Sequence, residues 1–449
     1  MSASLSRRRM LTASLGAAAA SLGGCTSAGT AGSDAARALD VPASARDVRA
    51  FGAVGDGVAD DTAAIARAVA DADGPLALYL PAGTYRVTGW PELPDYSAVV
   101  GEGSDLSTVV HQGDGPLWDL RDRHRVAFAR LGVYVTAEGG SAARLSGCFR
   151  CSFDTVLFRG EHGAGSHPRF VGQRGVELRD NTGGTTFVNC DVNNFGVGLV
   201  ASSIQNYVTA SKFTSNWIGV LGTGPDYAPG LSVVNSEFVS DTDPATTTRH
   251  VLVDGPANDW WFTNVWFEGA DVAVQAGVAG RGGPSQLGLV NCKVAARTVL
   301  LDLQSCRQPH LSNVILDPDP GATPVPLRID PVHCPDGTAV NLVSGTAADV
   351  DLAAFPPRWH VVGRGVVSGA EHAGPLVVRP GRDAAADLVQ ARAGDGTVVS
   401  AVLPSGAFLS ERAEAGVVLR DDDGGYWRLQ VGPDGALRTA RLGTGRPAG

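Results

Sequence analysis

An all-β solenoid is what the sequence predicts, and three observations predict it. Short segments with apolar alternation recur between residues 187 and 316, spaced about 20 to 30 residues apart, the length of one coil of a parallel β-helix. Asparagine holds the same place in nearly every segment: Asn189, Asn235, Asn264, Asn291 and Asn313, with Ala210 the exception. Glycine makes up 58 of 449 residues without the triplet period of collagen. A hydrophobic share of 44% against 18% charged residues gives ample material for a core and excludes a disordered chain.

Residues 1–25 read as an export leader. Ser6-Arg7-Arg8-Arg9-Met10-Leu11 resembles a twin-arginine motif, and an Ala/Gly/Leu stretch of signal-peptide length follows. Leu22-Gly23-Gly24-Cys25 resembles a bacterial lipobox, so Cys25 is the expected lipidation site. Residues 26–45, rich in Ser, Gly, Ala and Thr, then form a flexible linker. No other apolar run reaches the roughly 18 residues that span a bilayer. The expected location is outside the cytoplasm, either lipid-anchored on the outer face of the cytoplasmic membrane or secreted, with no membrane contact except through the lipid.

Residues 51–62 read FGAVGDGVADDT, then AAIARAVADADG, then LALYLPAGTYRV. The middle piece predicts a short capping helix with Ile65, Ala68, Val69 and Ala72 on one face, Asp61 or Thr62 as N-cap and Gly74 as its stop. The flanking pieces read as strands, turned at Pro81-Ala82-Gly83. Together, Gly-Asp-Gly-x-x-Asp-Asp-Thr, the helix and Leu-Pro-x-Gly-x-Tyr resemble the opening of the pectate-lyase-like, rhamnogalacturonase-type right-handed parallel β-helix superfamily, over residues 48–88. That resemblance implies a right-handed β-helix over residues 46–362 and carries no catalytic residues with it. The polygalacturonase-type signatures Asn-Thr-Asp, Asp-Asp, Gly-His-Gly and Arg-Ile-Lys are absent. Asp56, Asp60 and Asp61 are expected to be turn and capping residues.

Alternation assigns faces to the repeated segments. Val192, Phe213, Phe238, Phe267, Val294 and Leu316 should point inward, as should Cys190, Ser211, Ser236, Val265, Cys292 and Val314 two residues earlier. Between them Asp191, Lys212, Glu237, Trp266, Lys293 and Ile315 should form one outward column, its rungs about 4.8 Å apart. Cys190 and Cys292 then lie four coils apart, about 19 Å, too far to pair. Cys148 and Cys151 have zinc-ligand spacing without a second ligand pair, so no metal and no cofactor are expected. Residues 363–449 change pattern: GTVVSAVLPSGAF (396–408) and GYWRLQVGPDGAL (425–437) read as hairpins closed by Pro-x-Gly turns. They resemble small β modules of secreted and tail-fibre proteins, which serve in binding or assembly. A homotrimer is one assembly this leaves open.

A net charge of −10 and pI near 5.4 speak against nucleic-acid binding. An extracellular polysaccharide is the expected partner. Long loops at 159–174, 222–230 and 241–250 lie near Trp217, Tyr227 and Trp266, aromatics on which apolar sugar faces stack. Glycoside hydrolysis needs two flanking carboxylates, and Asp191, Glu237, Glu268, Asp241 and Asp243 are candidates. Lysis needs a base and stabilising cations, which Lys212, Arg249 and His250 could supply. The competing expectation is a catalytically silent ion-pair ladder of Asp191, Lys212 and Glu237. The leading function is polysaccharide cleavage as hydrolase or lyase; the alternatives are a non-catalytic glycan-binding or structural surface protein and a sugar epimerase.

Overall fold

The computed structural model describes residues 44–70, 72–224, 229–344, 354–362, 387–393, 397–412, 416–445 and 447. From Thr186 to Ile329 each coil contributes one strand to a nine-stranded parallel sheet, which runs from Gly115–Arg121 to Val325–Ile329, and two to a larger parallel sheet folded at the asparagine positions. The coil Thr186–Val188, Asp191–Asn193, Val197–Ala201 is typical. Its neighbours pair in the expected register, with Asp191 opposite Lys212, Lys212 opposite Glu237, Glu237 opposite Trp266 and Trp266 opposite Lys293.

The fold of each coil at its asparagine has a backbone cause. Asn189, Asn235, Asn264, Asn291 and Asn313 all adopt left-handed φ near +50°, a region asparagine tolerates better than other residues with a Cβ. Ala210 takes the same conformation. So do Arg130 and Thr155 in earlier coils and Asn341 in a later one, positions that the sequence pattern did not flag. Side-chain amides link rungs: Asn264 Nδ2 donates to Asn235 Oδ1 at 2.8 Å, Asn313 to Asn291 at 3.0 Å and Asn341 to Asn313 at 2.8 Å. Just past the bend the backbone N–H turns inward and leaves the sheet ladder. A serine one coil on receives it: Ser211 Oγ accepts from Cys190 N at 3.0 Å, and Ser236 Oγ from Ser211 N at 3.1 Å.

Both predicted inward columns are buried. Phe213, Phe238 and Phe267 stack with centroid separations of 4.7 and 5.0 Å. A second stack, Phe128, Phe153 and Phe187, continues the core in earlier coils. The six described cysteines are buried free thiols. Thiol titration of the denatured, unreduced protein should therefore detect Cys190 and Cys292 as free; a mapped disulfide between them would break the register.

The helix is Thr62–Val69, with Asp61 at its N-cap and Ala64, Ile65, Ala68 and Val69 buried. It ends at Ala70, where the backbone turns extended, and not at Gly74. The aspartates before it are structural. Asp61 accepts from Val54 N at 2.6 Å, Asp60 from Thr62 N, and Asp56 from Val58 and Ala59 N. Hydrogen bonds from the Ala59 and Val58 N–H groups hold the Asp56 carboxyl below its usual range, and those from the Thr62 hydroxyl and N–H do the same for Asp60. Toward the C-terminus, the hairpins turned at Gly406 and Gly435 each gain a third strand, Val389–Arg392 and Val417–Arg420, giving two small antiparallel sheets.

Candidate functional site

Beyond each asparagine the strand is only two or three residues long, so few side chains face out. Where it has three residues, the first and third do: Asp191 and Asn193, Lys212 and Thr214, Glu237 and Val239, Trp266 and Glu268. Stacked coils turn these into two parallel columns beside the asparagine ladder. Lys212, Glu237, Trp266, Lys293 and Ile315, with Asn235, Asn264, Asn291 and Asn313, line a groove of about 510 Å³ running across the coils. Of the 36 Lys and Arg residues only Lys212 and Lys293 are lysines, and both stand in this groove.

The groove is internally paired. Lys212 Nζ lies 3.0 Å from Glu237 Oε1. Lys293 Nζ sits 4.1 Å from the Trp266 ring centroid and 3.1 Å from Asp317 Oδ2, while Trp266 Nε1 donates to Glu268 Oε2 at 3.0 Å. Lys212 and Glu237 keep 36% and 43% of their side chains exposed, so their pairing contributes only about 0–1 kcal/mol and yields readily to a ligand. One rung away Asp191 is half-buried. Desolvation raises its carboxyl pKa, Lys212 opposes the rise, and Asp105 and Glu237 add to it.

The structure separates the other predicted residues from this groove. Asp241 and Asp243 are exposed turn-formers, accepting from the backbone N–H groups of Asp243 and Ala245. Arg249 and His250 belong to the nine-stranded sheet on another wall. There Arg249 Nε donates to Gln275 Oε1 at 2.6 Å. The expectation of His250 as a base in an exposed loop is corrected: it is 2% exposed, its Nε2 donates to the Glu268 carbonyl at 2.8 Å, and burial lowers its pKa to about 4. Trp217 packs against His167, with centroids 4.3 Å apart, in the 159–174 loop. That loop is tied to the 241–250 loop by His162 Nε2, which donates to the Thr246 carbonyl at 2.8 Å. Tyr227 and Cys25 lie outside the described residues.

Sequence reading missed a second polar arrangement, on the outer face of the nine-stranded sheet. Glu177, 3% exposed, is held between Arg144 at 3.4 Å and Arg179. Farther along, Asp302 accepts from Gln304 at 3.0 Å and pairs with Arg328 at 3.4 Å. The signal was the Glu177-Leu178-Arg179 alternation. It is masked because strands such as Val197–Ala201 are buried at every residue and show no period.

A family model described as rhamnogalacturonase A/epimerase, pectate lyase-like, matches residues 45–117, the segment that opens the coil stack. The chain is a right-handed parallel β-helix, and its opening segment is similar to that family. In sequence it is 36% identical over 152 residues to mannuronan C5-epimerase AlgE5 of Azotobacter vinelandii, a match covering 30% of this chain and 14% of that protein. Mannuronan C5-epimerase AlgE1 of the same organism is 46% identical over 150 residues, covering 30% of this chain and 10% of the relative. The match thus spans about a seventh or less of these relatives' length. Among solved structures, the A-module of the Azotobacter vinelandii mannuronan C-5 epimerase AlgE4 aligns over 71% of this chain and 100% of that one, at 15% identity and a TM-score of 0.48.

Proposed function

We propose that this β-helix acts on an acidic extracellular polysaccharide, bound along the groove and modified there. One observation carries the reading: both lysines of the chain stand on one outward column with Trp266 between them. Successive coils are about 4.8 Å apart, comparable to the length of a sugar unit, so ammonium groups and an aromatic face are offered at intervals a polyuronate can match. The polymer that the relatives are named for, mannuronan, supports an acidic substrate. Removal of the proton alpha to a uronate carboxylate builds negative charge on that carboxylate, and an ammonium facing it stabilises the transition state. Lysis and epimerisation share this step. Hydrolysis would instead use Asp191, whose burial favours the protonated acid, with Glu237 two rungs away, roughly 9 to 10 Å by stacking, at the outer edge of inverting geometries.

A second reading, non-catalytic glycan binding, is favoured by the Lys212–Glu237 and Lys293–Asp317 pairs, which occupy both ammonium groups. Incubation with polymannuronate, polygalacturonate and neutral glucans separates the two. Reducing ends report hydrolysis, ultraviolet absorbance of unsaturated uronates reports lysis, and solvent deuterium at C5 reports epimerisation. Binding without any of these products selects the second reading.

The leader motifs support placing the protein outside the cytoplasm as a lipoprotein. Cys25→Ala is expected to leave export intact and move the protein from the membrane fraction to the soluble one. Continued membrane retention would count against lipidation.

A further inference from the structure

On the coil that carries Trp266, the strand before the asparagine bend runs Ala257–Thr263. Alternation there sends two adjacent tryptophans to opposite sides. Trp260 enters the core at 0% exposure and donates its Nε1 to Pro229 O at 2.9 Å. Trp261 faces outward. Its neighbour on the next coil is Gly288, and a Cβ built there would lie 1.9 Å from Trp261 Cε3 and 2.2 Å from Cζ3. The indole therefore lies down over bare backbone, with one face on Gly288 and the other turned away from it. Any side chain at 288 would lift it.

One rung further, His310 brings its ring to 6.3 Å from the indole centroid, tilted by 48°. Around this plate is a rim of planar polar groups. Gln286 Nε2 is 3.4 Å from Gln308 Oε1, and Arg358 pairs with Asp336 at 2.7 Å. Together they enclose a recess of about 380 Å³. A flat apolar plate surrounded by amide, carboxylate and guanidinium groups suits a ligand with one C–H face and a perimeter of hydroxyls. The rim's carboxylate and guanidinium neutralise one another and it contains no lysine, unlike the groove beyond Asn264.

We infer that Trp261 and its rim form a second glycan-binding subsite, taking a neutral pyranose unit and distinct from the lysine-bearing groove. The inference rests on a glycan being the class of ligand and not on the chemistry assigned to the groove. Aromatic stacking on Trp261 supplies the contact, while Gln286, Gln308 and Arg358 donate to hydroxyls.

The test is calorimetric titration of the purified protein with cellohexaose, laminarihexaose and mannohexaose, with tryptophan fluorescence followed in parallel. At least one hexaose is expected to bind and shift the emission. Trp261→Ala should weaken that binding at least tenfold, and Gly288→Val should do the same with the indole still present. Arg358→Ala, at an exposed rim position, should weaken binding without disturbing the plate. A Lys212→Ala/Lys293→Ala double variant should bind the hexaose as the wild type does, so failure of the groove reading leaves this result untouched. Absence of binding to all three hexaoses, binding by Trp261→Ala within twofold of wild type, or loss of binding in the double-lysine variant would each overturn the subsite.

Discussion

Replacing Lys212 and Lys293 together by alanine is expected to cost the protein about a hundredfold in affinity for a polyuronate at low salt, while its melting temperature changes by no more than a degree or two. A hydrogen bond to a charged partner contributes roughly 1.5–3 kcal/mol, and two such contacts, partly offset by breaking the resident pairs, reach about that factor. The stability side is small because the Lys212–Glu237 pair is more than a third exposed on both partners, where ion pairs contribute about 0–1 kcal/mol. The loss has two parts. Ammonium groups disappear, and Glu237 is left unpaired to repel an acidic chain. Glu237→Gln should accordingly tighten binding by freeing Lys212. Since the groups are exposed, the wild-type affinity should fall as salt shortens the screening length toward about 8 Å at 0.15 M, and the double variant should show a flatter salt dependence. Equal affinity of wild type and double variant would leave the column as a mere ladder.

Phe238→Ala should have the opposite profile, lowering stability by about 3–5 kcal/mol. Phe238 is fully buried and stacks on both neighbours, Phe213 at 4.7 Å and Phe267 at 5.0 Å, with Phe262 edge-on at 6.5 Å. Removing the middle ring of a stack leaves a cavity that two rigid coils cannot close. For a chain of this size the shift should be about 3–7 °C in melting temperature, measured by calorimetry. Phe238→Leu, which refills most of the volume, should recover more than half of it. Glu237, the preceding residue, faces the other way, and its truncation should barely register in the same experiment.

Adjacent residues with such different expected effects show why part of this molecule was legible in its sequence. Period-two alternation fixed which of Glu237 and Phe238 faces the solvent, and the asparagine column fixed which residues of different coils are neighbours. Together these produced the pairing of Asp191, Lys212, Glu237, Trp266 and Lys293. Where either signal failed, so did the reading. Arg130 and Thr155 make the same left-handed bend without being asparagine, and Ala210 makes it with no side-chain amide. On the nine-stranded wall Val299–Leu303 is buried at all five residues, so alternation could not show that His250 points inward. The pairing of Glu177 with two arginines from different strand positions depends on a register that no repeated residue marks.

The left-handed bend has a consequence for how such a protein changes over generations. A single residue per coil sets this bend, and where it is asparagine its amide bonds to the same position on an adjacent coil, as Asn264 does to Asn235 and Asn313 to Asn291. A whole coil is therefore a unit that duplication or deletion can add or remove without redesigning its neighbours. Each insertion would lengthen the groove by one rung and leave its cross-section as it was. A lineage could in this way tune how many sugar units it spans by counting coils, using the protein as a ruler whose graduations are asparagines.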